Sequence, residues 1–293
     1  MNRRTLITAL AAIGFAALPL AHAAQPLKLE SYNPGEKAIF PVTSSILSGE
    51  HEAILVDAQF QRNDAEALVQ TLKAAGKKLV TVYVSHSDPD YYFGLDVIQA
   101  AFPEAKIVAT AQTVEHIKAT MEGKLAYWGP ILKDNAPQKL VLPEVLAGDS
   151  LKLEGQRIEI KGLKGPSPDR SYLWIPSLKT VVGGVVVSSG IHVWVADTQT
   201  AKSRQDWQGT LNSIAALRPA AVVPGHYLGD VPKGLGAVKF TRDYLKAFEA
   251  AAGKAKDSAE LIAAMKTRYP QAGEAASLEL SAKVVKGEMK WPQ

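Results

Sequence analysis

Along the first third of the chain, apolar and polar residues alternate in short runs with the period of two that a half-buried strand requires. Leu27-Lys-Leu-Glu-Ser31, Ala38-Ile-Phe-Pro-Val-Thr-Ser44 and Ala53-Ile-Leu-Val-Asp-Ala58 predict three strands, divided by turns at Asn33-Pro-Gly35 and Ser48-Gly-Glu50. The period then changes: Ala65, Leu68, Leu72 and Ala75 share one helical face and Gly76 stands where a C-cap glycine belongs, so a helix is expected over 62–75. The β-branched run Leu79-Val-Thr-Val-Tyr-Val-Ser85 has the composition of a strand buried on both faces. Helices near 95–101 and 111–122 flank a strand at Lys106-Ile-Val-Ala109.

Strand patterns resume over 138–187, with a hairpin at 151–160 and a core strand at Thr180-Val-Val-Gly-Gly-Val-Val-Val187. Trp207, Leu211, Ile214 and Leu217 mark a helix over 203–217, and Ala220-Ala-Val-Val-Pro224 is a short strand leading to Gly225-His226. From about 233 the pattern is helical and rich in alanine and lysine. Strands plus helices, repeated once, imply an α+β domain of two packed sheets with helices outside.

Composition narrows this picture. The 293 residues are 47% hydrophobic and 21% charged, which is ordinary for one globular domain. Of the formal charge of +4, Arg3 and Arg4 contribute two, and no basic stripe interleaved with aromatics is present, so nucleic acid is not an expected partner. Met1-Asn-Arg-Arg4, the short apolar run from Thr5 to Leu20 and Ala21-His22-Ala23 together form a secretory signal, read as residues 1–23. The Arg3-Arg4 pair resembles a twin-arginine signal. The expectation is a periplasmic or secreted protein, 24–293, with no stable membrane anchor, since no later apolar run is long enough to span a bilayer. There is no cysteine, so disulfides, thiolate metal sites and thiol nucleophiles are excluded.

Chemistry concentrates where apolar strands end. Of six histidines, His86, His192 and His226 lie at or just past such ends beside glycines or carboxylates; His22 belongs to the signal, His51 to a turn and His116 to an amphipathic helix. In an extended segment positions i, i+2 and i+4 face one way, so His86-Ser-Asp88-Pro-Asp90 would direct an imidazole and two carboxylates into a common space. Pro89 stiffens that stretch. The alternative is an Asx-type turn in which Asp88 and Asp90 cap the following helix. No Gly-x-Ser-x-Gly elbow is present, and Val182-Gly-Gly-Val185 lies in a strand rather than in a phosphate loop.

The run from Thr81 through His86, Asp88, Asp90 and Tyr91 to Gly94 resembles the His-x-His-x-Asp-His signature of the metallo-β-lactamase superfamily. Asp57 at the end of an early strand and Val222-Val-Pro-Gly225-His226 match further landmarks of that family in the same order. The resemblance covers about 36–228, with a helical C-terminal extension at about 233–293. It implies a four-layer αββα sandwich in which one or two metals activate a water toward an ester, amide, thioester or phosphodiester. The chain departs from the pattern at Asp88 and Tyr91, where histidines are usual, in the stretch from Gly162 to Arg170, which lacks the middle histidine, and at Gly184, where a bridging aspartate is usual. The resemblance therefore implies a mononuclear site of His86, Asp88, Asp90 and His226, with His192 as a further ligand or substrate contact. Zinc is the first expectation, with manganese, iron or magnesium favoured more than usual by the carboxylates. Asp90 or Asp88 would orient the attacking water or take its proton, while Tyr91, Lys164 or Arg170 would contact an anionic group of the substrate. Two functions follow: an exported metal-dependent hydrolase of a small molecule, or a non-catalytic descendant that binds a ligand or partner in the same cleft.

Overall fold

A computed structural model describes residues 25–291; the expected signal, 1–23, lies outside the described residues. Two sheets stand face to face. The first comprises β1 (Lys28–Tyr32), β2 (Ser44–Ser48), β3 (Glu52–Val56), β4 (Lys78–Val84), β5 (Lys106–Ala109) and β6 (Glu144–Val145), adjacent in chain order. Its first three strands pair antiparallel and the later ones parallel, because helices α1 (Arg62–Ala74), α2 (Pro89–Tyr92), α3 (Leu95–Ala101) and α4 (Ala111–Leu132) carry the chain back between them.

The second sheet takes β7 (Ser150–Leu153), β8 (Gln156–Lys161), β9 (Tyr172–Ile175) and β10 (Thr180–Val182), with β12 (Ala221–Val222) parallel to β10 at its edge. The short β11 (Ser188–Ser189) pairs parallel with β13 (His226–Tyr227). Helices α5 (Ala201–Ala216), α6 (Gly236–Ala252), α7 (Ser258–Arg268) and α8 (Ala275–Val285) cover the outer face of this second half.

Strand alternation builds the layers. Leu55, Val82 and Val84 pack outward against Leu68, Leu72 and Ile98 of α1 and α3, while Ile54, Val56 and Tyr83 meet Ile158, Ile160 and Leu173 of the opposite sheet. A third core sets Trp207 and Leu211 of α5 against Tyr244, Leu245 and Phe248 of α6 and Leu261 and Leu278 beyond them. Three apolar interfaces make four layers, the expected αββα sandwich. The C-terminal helices complete its fourth layer.

Three local expectations change. The run 38–43 is not a strand: Thr43 N–H donates to the Gly225 carbonyl and Val42 bridges His226, so β2 begins only at Ser44. Pro41, lacking an N–H, suits this crossing segment better than a central ladder. The 180–187 strand stops at Val182, because Gly183 and Gly184 turn to φ +74° and +80°. A Cβ at Gly184 would lie 2.4 Å from the Ser171 carbonyl oxygen, a close backbone approach that only glycine permits. Helix α4 runs ten residues past the expected end at 122, through Gly123 and Pro130 to Leu132, and carries Tyr127 and Trp128 to the mouth of the site.

Candidate functional site

The site forms where β4 ends. Asp57, at the end of β3 with φ +67°, accepts hydrogen bonds from Ser85 N–H and Ser85 Oγ, both at 2.7 Å, and Ser85 Oγ in turn accepts from Gly184 N–H at 2.7 Å. This chain of polar groups ties the two sheets together beneath the loop that begins at His86. Burial pushes the Asp57 carboxyl up to about 7 against the lowering effect of its bonds to Ser85; Asp90 raises it further and His86 opposes.

His86 and Asp88 are neighbours, with Nδ1 to Oδ2 at 3.3 Å. The same Nδ1 lies 3.2 Å from Asp88 N–H, so it accepts from the backbone when bare and donates to the carboxylate when protonated. Lys124 Nζ reaches Asp88 Oδ1 at 3.1 Å and the Ser87 carbonyl at 2.8 Å. Burial alone would raise the Asp88 carboxyl, yet Lys124 and His86 hold it well below the usual carboxylate range. Burial opposes the His86 imidazolium, but Asp88, by charge and hydrogen bond, outweighs it and the value is raised, Arg170 lowering it and Asp197 adding to the rise.

The expected common projection of His86, Asp88 and Asp90 fails at Pro89. Proline is at home in the first turn of a helix, so α2 starts there and Asp88 and Asp90 no longer share one face of an extended strand. Asp88 occupies the N-cap position but makes no side-chain cap. Asp90 meets His226 instead, Oδ2 to Nε2 at 2.8 Å. Between the two pairs stands Tyr91, its ring edge-on to both imidazoles with centroids 5.7 Å from each. Its hydroxyl is buried without a hydrogen-bond partner, and burial followed by Asp90, Asp57 and Asp88 keeps it firmly a neutral phenol.

The remaining candidates separate. His192 lines the same cavity, but its Nδ1 lies 3.1 Å from the Tyr244 hydroxyl in the fourth layer, and burial lowers its pKa. Arg170, from the loop lacking a histidine, is buried with its guanidinium 3.9 Å from the Trp207 ring centroid, 2.9 Å from Asp197 Oδ2 and 3.0 Å from Thr198 Oγ1. Lys164 is exposed and does not line the cavity. His116 does line it, with Nδ1 3.4 Å from Ser87 Oγ.

His86, Asp88, Asp90, His192 and His226 thus border one cavity of about 890 Å³. Sequence reasoning missed several residues that shape it: Phe40, Lys124, Trp194, Glu274 and Trp291. The sequence does single out Tyr127-Trp128-Gly-Pro as able to line a cleft, with core packing as the alternative, and both rings line the cavity; the stripe of His116, Thr120, Lys124 and Trp128 at every fourth residue is the signal for the rest of that helix.

The family model for the metallo-beta-lactamase superfamily matches residues 39–226. The chain belongs to that superfamily. A metallo-beta-lactamase from Pontibacter korlensis superposes with a TM-score of 0.56 at 17% identity, covering 77% of this chain and 97% of its own. Metallo-beta-lactamase IND-7 gives 0.55 at 21% identity, covering 75% and 94%. Likeness at this identity speaks to the fold alone. The Bacillus subtilis (strain 168) protein YobT is 30% identical over 71 residues, 24% of this chain, and the match spans 30% of that relative's length.

Members of this superfamily typically hold divalent metal, often zinc. A tetrahedral zinc site needs ligand atoms converging within about 2.0–2.3 Å of one point. Among the described residues no three His, Asp or Glu side chains are grouped to hold an ion. The four first-choice ligands instead form two pairs on either side of the Tyr91 ring, and Lys124 brings a fixed cation to one of the carboxylates. This donor set does not fit a shared metal.

Proposed function

We propose that this protein is a ligand-binding metallo-beta-lactamase relative whose site is held by fixed charge pairs in place of a catalytic metal, and that a small organic molecule occupies the cavity. The observation carrying this reading is Tyr91 between the His86–Asp88–Lys124 and His226–Asp90 groups. Each carboxylate that an ion would need already has a cationic or imidazole partner, and unpairing it in a buried setting is costly. A concave volume of about 890 Å³ with aromatic walls and a few polar groups is the usual form of a small-molecule site.

A second reading, hydrolysis, rests on the His226–Asp90 contact. An imidazole held at 2.8 Å by a carboxylate at the cavity wall is placed to take a proton from a water or a substrate hydroxyl. We also propose export, with processing after Ala23, which the intact mass of protein recovered from the periplasm or medium would test.

The deciding experiment is metal analysis of the purified mature chain with thermal melts in chelator and in added zinc, manganese, iron or magnesium. The expected result is metal far below one ion per chain and a melting temperature that moves by less than about 1 °C, because a ligand that does not bind the native state cannot stabilise it. Stoichiometric metal with a clear upward shift refutes the reading. Chelator-resistant turnover of lactone, thioester or phosphodiester esters that is lost in His226→Ala would favour the second.

A further inference from the structure

Five aromatic side chains from four separated stretches of chain form a closed cycle at the cavity. Phe40 meets Trp128, Trp128 meets Tyr127, Tyr127 meets Trp291, Trp291 meets Trp194, and Trp194 returns to Phe40. Successive centroids are 4.9–6.3 Å apart, and every contact is edge-to-face, with interplanar angles of 74–86°. Among the described residues no ring contact crosses the cycle. All five residues line the cavity. Buried Phe60 braces the collar from behind, 5.3 Å from Phe40 and 5.4 Å from Trp128. Trp291 closes it from the segment after α8, where Gln199 Nε2 donates to its carbonyl at 3.1 Å.

The size of this collar has a chemical meaning. Laid flat, a pentagon with sides this long has its centre about 4.6 Å from every ring, inside the roughly 6 Å reach of a cation–π contact. A methylated ammonium group matches that size, and aromatic rings on several sides replace the weak hydration it loses.

Charge points the same way. Five carboxylates line the cavity, Asp88, Asp90, Asp169, Asp197 and Glu274, against two lysines, Lys124 and Lys290. Asp88 is matched by Lys124, Asp90 by His226 and Asp197 by Arg170. Glu274 is half-buried, with Ser277 Oγ at 3.4 Å; burial raises its carboxyl while His226 and Ser277 oppose the rise, and among the described residues no lysine or arginine pairs with it. With the other buried carboxylates already matched, Glu274 is the one that offers a positive ligand group a partner in the cavity.

We propose that the collar of Phe40, Tyr127, Trp128, Trp194 and Trp291, with the Glu274 carboxylate lining the same cavity, binds a small organic cation bearing a methylated ammonium group. This deepens the ligand-binding reading and rests on it.

The experiment is calorimetric titration of the mature, chelator-treated protein with tetramethylammonium, choline and benzyltrimethylammonium. Each is set against a neutral tert-butyl isostere where one exists, 3,3-dimethylbutanol for choline. At least one cation should saturate a single site and, where paired, bind about tenfold or more tighter than its isostere. Trp194→Leu and Trp291→Leu should weaken it by about tenfold while melting cooperatively. Glu274→Gln should weaken the cation and leave the isostere within about twofold. Equal affinity for cation and isostere would reduce the collar to an apolar wall and overturn the proposal, as would no saturable heat from any of the three cations. A chain that instead carries stoichiometric metal before chelation overturns the underlying metal-free reading, a result scored separately from the titrations.

Discussion

Replacing Asp57 by asparagine isolates the cost of burying a carboxyl group beneath the site loop. Asp57 is 1% exposed and its pKa is pushed up to about 7, so the fold prefers the protonated acid. A raised carboxyl contributes stability that is complete below its unfolded value near 4 and is lost as pH climbs through the folded value. Across the interval between those two values, linkage removes about 4 kcal/mol from the wild type between about pH 4 and about pH 8. An asparagine side chain at this position would keep an acceptor for Ser85 N–H, tolerates the φ of +67° and, like the protonated acid, offers a donor to the Ser85 hydroxyl oxygen. The two proteins should therefore be about equally stable near pH 4, and the wild type the less stable by about 4 kcal/mol near pH 8. Urea unfolding followed by circular dichroism at both pH values measures this. A stability difference that stays constant within about 0.5 kcal/mol across that range would show that Asp57 is ionised in the fold and would refute the reasoning.

Other perturbations test separate parts of the site. Arg170→Met should cost about 3 kcal/mol, because it takes the guanidinium away from Asp197 and from the Trp207 face; a thermal melt unchanged from wild type would mean the pair is neutral in effect. Gly184→Ala should destabilise by about 2 kcal/mol or more, since a Cβ there meets the Ser171 carbonyl at 2.4 Å on a backbone at φ +80°. Gly184→Asp, which supplies the bridging carboxylate that the superfamily resemblance leads one to expect there, should fare no better and should confer no metal binding by calorimetry. Lys124→Met should raise the His86 titration midpoint in an NMR pH series, because Asp88 then shares its charge with His86 alone.

Much of the architecture was legible from pattern. The 79–85 strand, the 62–75 helix with its Gly76 terminus and the 151–160 hairpin follow from periods and turn residues that act over a few positions, and all three form as expected. The ordered set of Asp57, the His86 loop and Gly225-His226 was sufficient to suggest the superfamily, because each sits at a strand end whose neighbours are local. Strand limits were less secure. At 38–43 the alternation is genuine, but its partner is the loop before His226, nearly 190 residues away, and nothing nearby in the chain announces that.

What the sequence determined by itself was therefore the αββα frame and the residues delivered to its upper edge: His86, Asp88, Asp90, His192 and His226. Tertiary structure decided what those residues do to one another. Whether His86 and His226 share a point or are parted by Tyr91 depends on the turn begun at Pro89 and on the pairing of β13 with β11. The aromatic collar was beyond reach for the same reason. Phe40, Trp128, Trp194 and Trp291 show no common spacing, and they meet only because three-dimensional packing brings distant segments to one cavity, where edge-to-face contact and burial are decided.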